Sequence, residues 1–286
     1  MVTLRAWQCV AASVRLATRV TFAIITQSLN IIQIPLETQA FANSSVAARS
    51  PVAKSLWALV PVKALTMAKQ RLQQYFGPKR EDFAFAMLKD VLDALVASKA
   101  VSGIAIVTAD PRVAELALQR GLLLVQEHGN CDMNAAIALG VEAIRQNGGR
   151  RLVIIHSDIP LVTGTELDRL AGIFLARAVS CAGEMIGISP SADRGGTNCL
   201  FLDAGQPFEF CYGPDSFALH CASAGSRHAD VVLLESLTVG MDVDEPGDLG
   251  ILLEYYRHNE EFQHTATWKF LCDRDCNMPA AEASEV

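Results

Sequence analysis

Arg151-Leu-Val-Ile-Ile-His-Ser-Asp-Ile-Pro-Leu161 is the stretch that decides the architecture. Its apolar run, Leu152 to Ile155, shows no polar alternation, which predicts a strand covered on both faces, as in a parallel sheet between helices. Asp158 follows just past the strand's carboxyl end, where open α/β sheets bind their ligands. A carboxylate beside a buried strand needs a partner, and a cation would supply one. The competing reading is a helix cap or a loop aspartate.

On both sides of this run the chain alternates strand and helix patterns. Apolar stretches predict strands over 56–62, 103–108, 122–125, 184–189, 199–202, 231–234 and 237–241. Helices are expected from Asp82, which offers a cap, to Lys99, from Pro111, and over 132–146, 164–177, 215–224 and 245–256. This alternation predicts a single α/β domain over residues 55–257, with a mostly parallel sheet and helices on both faces. Residues 1–54 read as a poorly ordered extension or the product of an upstream start. They carry one acidic residue, Glu37, and an uncharged stretch, Val20 to Leu36, too polar for a membrane span. Ala40-Phe-Ala42 offers a weaker reading as a signal cleavage site. Beyond Tyr256 the periodicity fades, and residues 258–286 read as a loose tail.

The 286 residues are 51% hydrophobic, enough for one large core, and the net charge of −7 with no basic block disfavours nucleic acid as a partner. Eight cysteines scattered through a large chain read as reduced thiols, which points to the cytoplasm. Cys272 and Cys276 with His264 approach zinc spacing, but no second pair completes such a site.

Several residues carry possible chemistry. Lys63, Lys69 and Arg71 follow the first strand of the domain and could hold a polyphosphate or simply form a solvated surface. No P-loop or dinucleotide-binding glycine pattern is present. Asp110 could cap the helix that Pro111 opens or touch a ligand, and the amide of Asn134, beside Met133 at the next helix start, could read a base edge. Asp242 and Asp244 flank Val243. On an extended backbone both would face one metal, whereas a turn would leave only Asp242 in reach. Asp248 fits a first helical turn. Arg194-Gly-Gly-Thr197-Asn198 and Tyr212-Gly213-Pro-Asp-Ser216 are small-residue loops suited to a phosphate or carboxylate, or are ordinary turns. His156 reads as a packed strand residue.

In order along the chain, Val60-Pro-Val-Lys63, Ala68-Lys-Gln-Arg71, Val107-Thr-Ala-Asp110, Met133-Asn-Ala-Ala, His156-Ser-Asp158-Ile-Pro-Leu, Gly195-Gly-Thr197-Asn, Tyr212-Gly-Pro-Asp-Ser216 and Asp242-Val-Asp-Glu-Pro-Gly-Asp-Leu249 resemble the guanylyltransferases of deazaflavin coenzyme (F-420) biosynthesis. The resemblance spans about residues 55–257. It implies a nucleotidyltransferase domain of the glycosyltransferase-A type that transfers GMP from GTP to 2-phospholactate, phosphoenolpyruvate or 3-phosphoglycerate, with a lean to the last. It further implies Mg²⁺ on Asp158 and Asp242, with Lys63, Lys69 and Arg71 facing the GTP phosphates. Asp110 and Asn134 would line the nucleoside side, and Met133, Thr197, Gly213 and Ser216 the acid. Met133 stands where relatives often have leucine. GTP and a small phospho-acid are the partners expected, with no membrane and with a homodimer left open. The alternatives are a related nucleotidyltransferase using CTP or a sugar phosphate, or a nucleotide-binding protein without catalysis.

Overall fold

A computed structural model describes residues 31–33, 56–127 and 132–273. Eight strands form one sheet: β1 (Ile31–Gln33), β2 (Leu56–Val62), β3 (Val101–Thr108), β4 (Leu123–Gln126), β5 (Arg151–Ile155), β6 (Met185–Pro190), β7 (Thr197–Asp203) and β8 (Asp230–Leu233). Their order is β1-β8-β6-β7-β5-β2-β3-β4. β7 runs antiparallel to both of its neighbours, and every other pairing is parallel. Seven helices are used below: α1 (Arg80–Ala97), α2 (Pro111–Gln119), α3 (Met133–Gln146), α4 (Gly164–Ser180), α5 (Ser216–Ser226), α6 (Pro246–His258) and α7 (Ala266–Cys272).

The unbroken apolar run in β5 is explained by two cores. Val153 and Ile155 pack with Leu88, Val91 and Leu95 of α1 and Leu170 and Phe174 of α4. Leu152 and Ile154 face the opposite layer, with Ile137 of α3 and Phe217 of α5. Alternate residues thus serve opposite faces, and each fully buried aliphatic side chain contributes about 1.5–3 kcal/mol. α3 sits so close to β2 that a Cβ on Gly140 would fall 2.5 Å from Leu59 Cδ1.

From β2 the chain builds outward to β3 and β4, then returns to place β5 on the other side of β2. The order therefore reverses between β2 and β5, and a crevice opens outside their carboxyl ends.

Four expectations need correction. Residues 237–241 are not a strand but a turn closed on Ser236, which accepts from Gly240 N at 2.9 Å and Val239 N at 3.2 Å. Asp82 lies inside the first turn of α1 rather than capping it, and pairs with Arg112 at 2.6 Å. The tail is not loose up to residue 273: Phe262 and Leu271 are buried in a third core with α1 and α6. Asp90 of α1 fixes the start of α7 by accepting from Ala266 N at 2.7 Å and Thr267 N at 2.8 Å. Within the expected N-terminal extension, Ile31–Gln33 pairs parallel with β8. The rest of residues 1–54, and Cys276, lie outside the described residues.

Candidate active site

Asp158 and the 242–244 segment, far apart in sequence, are joined by one backbone bond, Val243 N donating to Asp158 O at 3.0 Å. Val243 is fully buried, which pins the segment while its two flanking aspartates remain near the crevice. Asp242 Oδ1 accepts from Asn198 Nδ2 at 3.0 Å, and the same amide donates to Val239 O at 2.9 Å. Asn198 is the extra residue of a β-bulge, since Ser189 and Pro190 of β6 pair with Cys199 and Thr197 of β7. Bulges re-aim side chains in this way beside active sites.

Lys69 enters from the other side. Its Nζ donates to Asp158 Oδ2 at 2.8 Å and to Asp244 Oδ1 at 2.6 Å. Its backbone is left-handed, at φ 51° and ψ 42°, an uncommon state for a residue with a side chain. Arg80 holds the surrounding turn by donating to the carbonyls of Thr66, Ala68 and Leu65 at 2.7, 2.9 and 3.3 Å. Burial alone would lower Lys69, but Asp158 and Asp244 outweigh it and hold the ammonium above its usual value. Burial likewise opposes ionisation of Asp158, yet the Lys69 ammonium wins and keeps that carboxyl below its usual range. Asp242 has no such cation. Burial first, and then the Asp158 charge, push it up to about 6.

These groups border a cleft of about 180 Å³ lined by Lys63, Lys69, Met133, His156, Asp158 and Asp244, among others. A larger hollow of about 530 Å³ lies at the amino ends of β2, β3 and β4, around Trp57, Val101, Gly103 and Leu122. No charged side chain lines that hollow, so the chemistry belongs to the smaller cleft. His156, read from sequence as packing, borders the cleft with a buried Nε2 that has no partner among the described residues.

A second group of residues adjoins the cleft through Tyr212, whose ring centroid is 5.3 Å from that of His156. His220 is buried in α5, and its Nε2 accepts from Cys211 N at 3.0 Å. The neutral ring must therefore carry its proton on Nδ1, which donates to Thr197 Oγ1 at 3.0 Å. Thr197 thus keeps its own hydroxyl hydrogen to donate elsewhere. Burial pushes His220 down to about 4, so it stays neutral at ordinary pH. Ser216 begins α5. The residue before it, Asp215, is left-handed and gives no side-chain cap, and Ser216 N donates to Gly213 O at 3.2 Å. Gly213, at φ 135°, adopts a backbone that only glycine accepts readily.

The residues named from sequence therefore divide. Lys63, Lys69, Met133 and Asp158 meet at the cleft, Asp242 adjoins it, and Thr197, Gly213 and Ser216 gather beyond Tyr212. Three others serve different ends. Arg71 is largely exposed and pairs with Glu245 at 2.6 Å, on the cleft's rim. Both oxygens of Asp110 are occupied: Oδ1 accepts from Arg112 N and Val113 N as the α2 cap, and Oδ2 from Leu65 N at 2.8 Å. Asn134 exchanges two bonds with the Tyr212 backbone, at 2.7 and 3.3 Å, and so braces the 212–216 loop. Asp248 closes a capping box on α6, as its position implied. Sequence reasoning missed Asn198, Arg80 and His220, whose roles come from partners remote along the chain.

The residue set fits a divalent cation. Asp158 Oδ1 is buried with no hydrogen-bond partner among the described residues, and burial and then the Asp158 charge raise the Asp242 carboxyl, which a cation would relieve. Among the described residues no three His, Cys, Asp or Glu side chains form a metal cage. Mg²⁺ commonly uses one or two carboxylates and completes its octahedron with phosphate oxygens and water.

A family model described as "Guanylyl transferase CofC like" matches residues 56–271. The chain belongs to this guanylyltransferase family. The matched span includes α7, in keeping with its place in the core. The chain is 32% identical over 193 residues to a phosphoenolpyruvate guanylyltransferase of Sphaerobacter thermophilus, covering 67% of this chain and 89% of the relative. It is 32% identical over 197 residues to a 2-phospho-L-lactate guanylyltransferase of Methanothermobacter thermautotrophicus, covering 68% and 83%. A 3-phospho-D-glycerate guanylyltransferase of Phenylobacterium zucineum is 30% identical over 195 residues, covering 67% and 86%. Among solved structures, a Desulfovibrio desulfuricans protein described as a nucleotide-diphospho-sugar transferase is similar with a TM-score of 0.61 at 18% identity, over 78% of this chain and 96% of that one. That likeness supports the fold: one α/β domain with a mixed, mostly parallel sheet. Among the described residues no helix is long and apolar enough to cross a membrane.

Proposed function

We propose that this protein transfers GMP from GTP to the phosphate of a small phosphorylated three-carbon acid, in the cytoplasm, as a step of coenzyme F-420 biosynthesis. The observation that carries the reading is Asp158, brought beside the 242–244 segment with one buried oxygen unpartnered. A phosphate oxygen of the acid attacks the α-phosphorus of GTP. The new O–P bond forms as the bond to the β-phosphate oxygen breaks, and pyrophosphate leaves. The substrate phosphate, whose second pKa is about 6, is largely ionised at neutral pH, so no side chain has to remove a proton. Mg²⁺, held by Asp158 and Asp242, would supply charge neutralisation for the triphosphate.

The chain's own work is positioning. Lys63 and Lys69 present cations at the carboxyl end of β2, and Asn198 aims Asp242. Thr197, oriented by His220, offers a hydroxyl donor to an anionic acid, with Gly213 and Ser216 on the adjoining loop. Of the three acids named for the relatives, we favour 3-phosphoglycerate. Met133, in the cleft wall, has a flexible unbranched side chain able to shape itself to a longer acid.

The test is a panel of GTP, ATP, CTP and UTP against the three acids and a sugar phosphate, with products resolved by mass. A guanylylated acid with pyrophosphate supports the reading, and turnover with CTP or a sugar phosphate alone rejects it. Asp158→Asn should abolish turnover with little change in melting. Activity retained at saturating Mg²⁺ would remove Asp158 from the metal.

A further inference from the structure

Lys69 was expected to reach toward phosphate, yet its ammonium is engaged inside the protein. It bridges Asp158 Oδ2 and Asp244 Oδ1 at 2.8 and 2.6 Å, with only 6% of the side chain exposed. Arg80 fastens the carbonyls of Leu65, Thr66 and Ala68 just before Lys69, and Lys69 O accepts from Leu72 N at 2.9 Å, so the turn that carries Lys69 is fixed independently of those carboxylates. The flexible four-carbon stem can therefore swing without moving the backbone. Lys69 and a divalent cation would compete for the same carboxylate, since both need Asp158.

We propose that Lys69 is an internal counter-cation that closes the Asp158 site to a free divalent ion and yields it only when nucleotide phosphates draw the ammonium away. This rests on the reading of Asp158 and Asp242 as cation ligands. Three carboxylates, Asp158, Asp242 and Asp244, converge here against this one ammonium. Withdrawing the lysine with nothing in its place would leave like charges facing one another in a partly buried site, where their repulsion is poorly screened. The exchange must then be coupled. The triphosphate brings the cation and takes the lysine, whose three donors pass from carboxylates to phosphate oxygens. The consequence is an order of binding, in which metal enters with the nucleotide rather than before it.

The experiment is a Mn²⁺ titration of the full chain, free ion being read by electron paramagnetic resonance, with and without a GTP analogue carrying a methylene bridge between the α- and β-phosphorus. Without nucleotide, Lys69→Gln should bind Mn²⁺ at least about tenfold more tightly than wild type, a change of about 1.4 kcal/mol. With the analogue that advantage should vanish or reverse, because the lysine then helps to hold the phosphates. Equal or weaker Mn²⁺ binding by Lys69→Gln in the absence of nucleotide overturns the proposal. If Lys69→Gln fails to fold, Lys69→Met takes its place. It removes the ammonium and keeps the apolar stem, so tighter Mn²⁺ binding supports the counter-cation, and unchanged or weaker binding overturns it. These readouts do not involve the acid. A protein that shows this metal order yet guanylylates none of the acids would refute the proposed substrate and leave the lysine's role standing.

Discussion

Asn198→Ala tests whether the β7 bulge sets the chemistry of Asp242. Asn198 is 2% exposed, and its amide donates both to Val239 O at 2.9 Å and to Asp242 Oδ1 at 3.0 Å. Truncation leaves a buried carbonyl without this donor, at about 1–3 kcal/mol, and removes a bond to a charged acceptor worth about 1.5–3 kcal/mol. Partial relaxation lowers the sum, and about 3 kcal/mol is the working figure. For a domain of this size, that corresponds to a fall of about 6–12 °C in melting temperature. The functional effect is separate. The Asp242 carboxyl stands at about 6 because burial and the Asp158 charge outweigh the Asn198 donor. Without that donor it rises further. Metal binding needs the carboxylate, so the acid limb of Mn²⁺ affinity, falling about tenfold per pH unit below this value, should move to higher pH. The linkage sign also follows. A carboxyl raised in the folded state favours folding at low pH, and stability is lost as pH climbs from about 4 to about 6. Thermal melts near neutral pH and Mn²⁺ titrations across about pH 5 to 8 read both effects. A variant that melts within about one degree of wild type, with its acid limb unmoved, would refute the reasoning.

Two further predictions concern the frame around the site. His220 is held neutral to about 4, so between there and the ordinary histidine value of about 6.5 the unfolded chain takes a proton that the buried ring refuses. Relative to His220→Gln, wild type should lose about 3 kcal/mol between neutral pH and pH ~4, and parallel pH–stability curves for the two proteins would contradict this. In α4, a Cβ on Gly164 would fall 2.8 Å from the carbonyl carbon of Ala97, whereas one on Gly172 meets nothing within 4 Å. Denaturant melts should show Gly164→Ala costing about 1–3 kcal/mol and Gly172→Ala gaining up to about 1 kcal/mol, and equal signs would show that contact with Ala97 does not constrain the helix.

The fold was readable because its decisive signals are local. β5 announces two-sided burial in consecutive residues, Asp132 and Pro111 mark helix starts, and parallel strands separated by helices leave few topologies. Asp158 was readable for the same reason, as a carboxylate at a strand's carboxyl end. The misread tail shows where such reasoning stops. Phe262, Trp268 and Leu271 are too sparse to define a periodic face. What orders them is Asp90, holding the start of α7 from 176 residues away. The turn at 237–241 failed differently: its apolar letters suit a strand, but Ser236 and Gly240 close it before any ladder forms.

The family resemblance gave several charges a ligand: Lys63, Lys69 and Arg71 to phosphate, Asp158 and Asp242 to metal. The structure pairs many of these groups with one another instead. Arg71 finds Glu245 across 174 residues, and Lys69 finds Asp158 and Asp244 across 89 and 175. Such pairings have a physical consequence for the substrate. Asp158, Asp244 and the adjoining Asp242 outnumber the one ammonium paired with them, so this corner of the site is net negative, and GTP, the nucleotide of the proposed reaction, is itself a polyanion. Exposed Lys63 at the mouth is a modest attraction in high dielectric, whereas repulsion from partly buried carboxylates is screened far less. A triphosphate alone should therefore be rejected at this edge of the sheet. If the nucleotide carries a divalent cation, the same cleft would become attractive, because the carboxylates would meet a positive centre and Lys69 would be free to turn to the phosphates. On the proposed function, the acidity that would repel free GTP would select its metal complex instead.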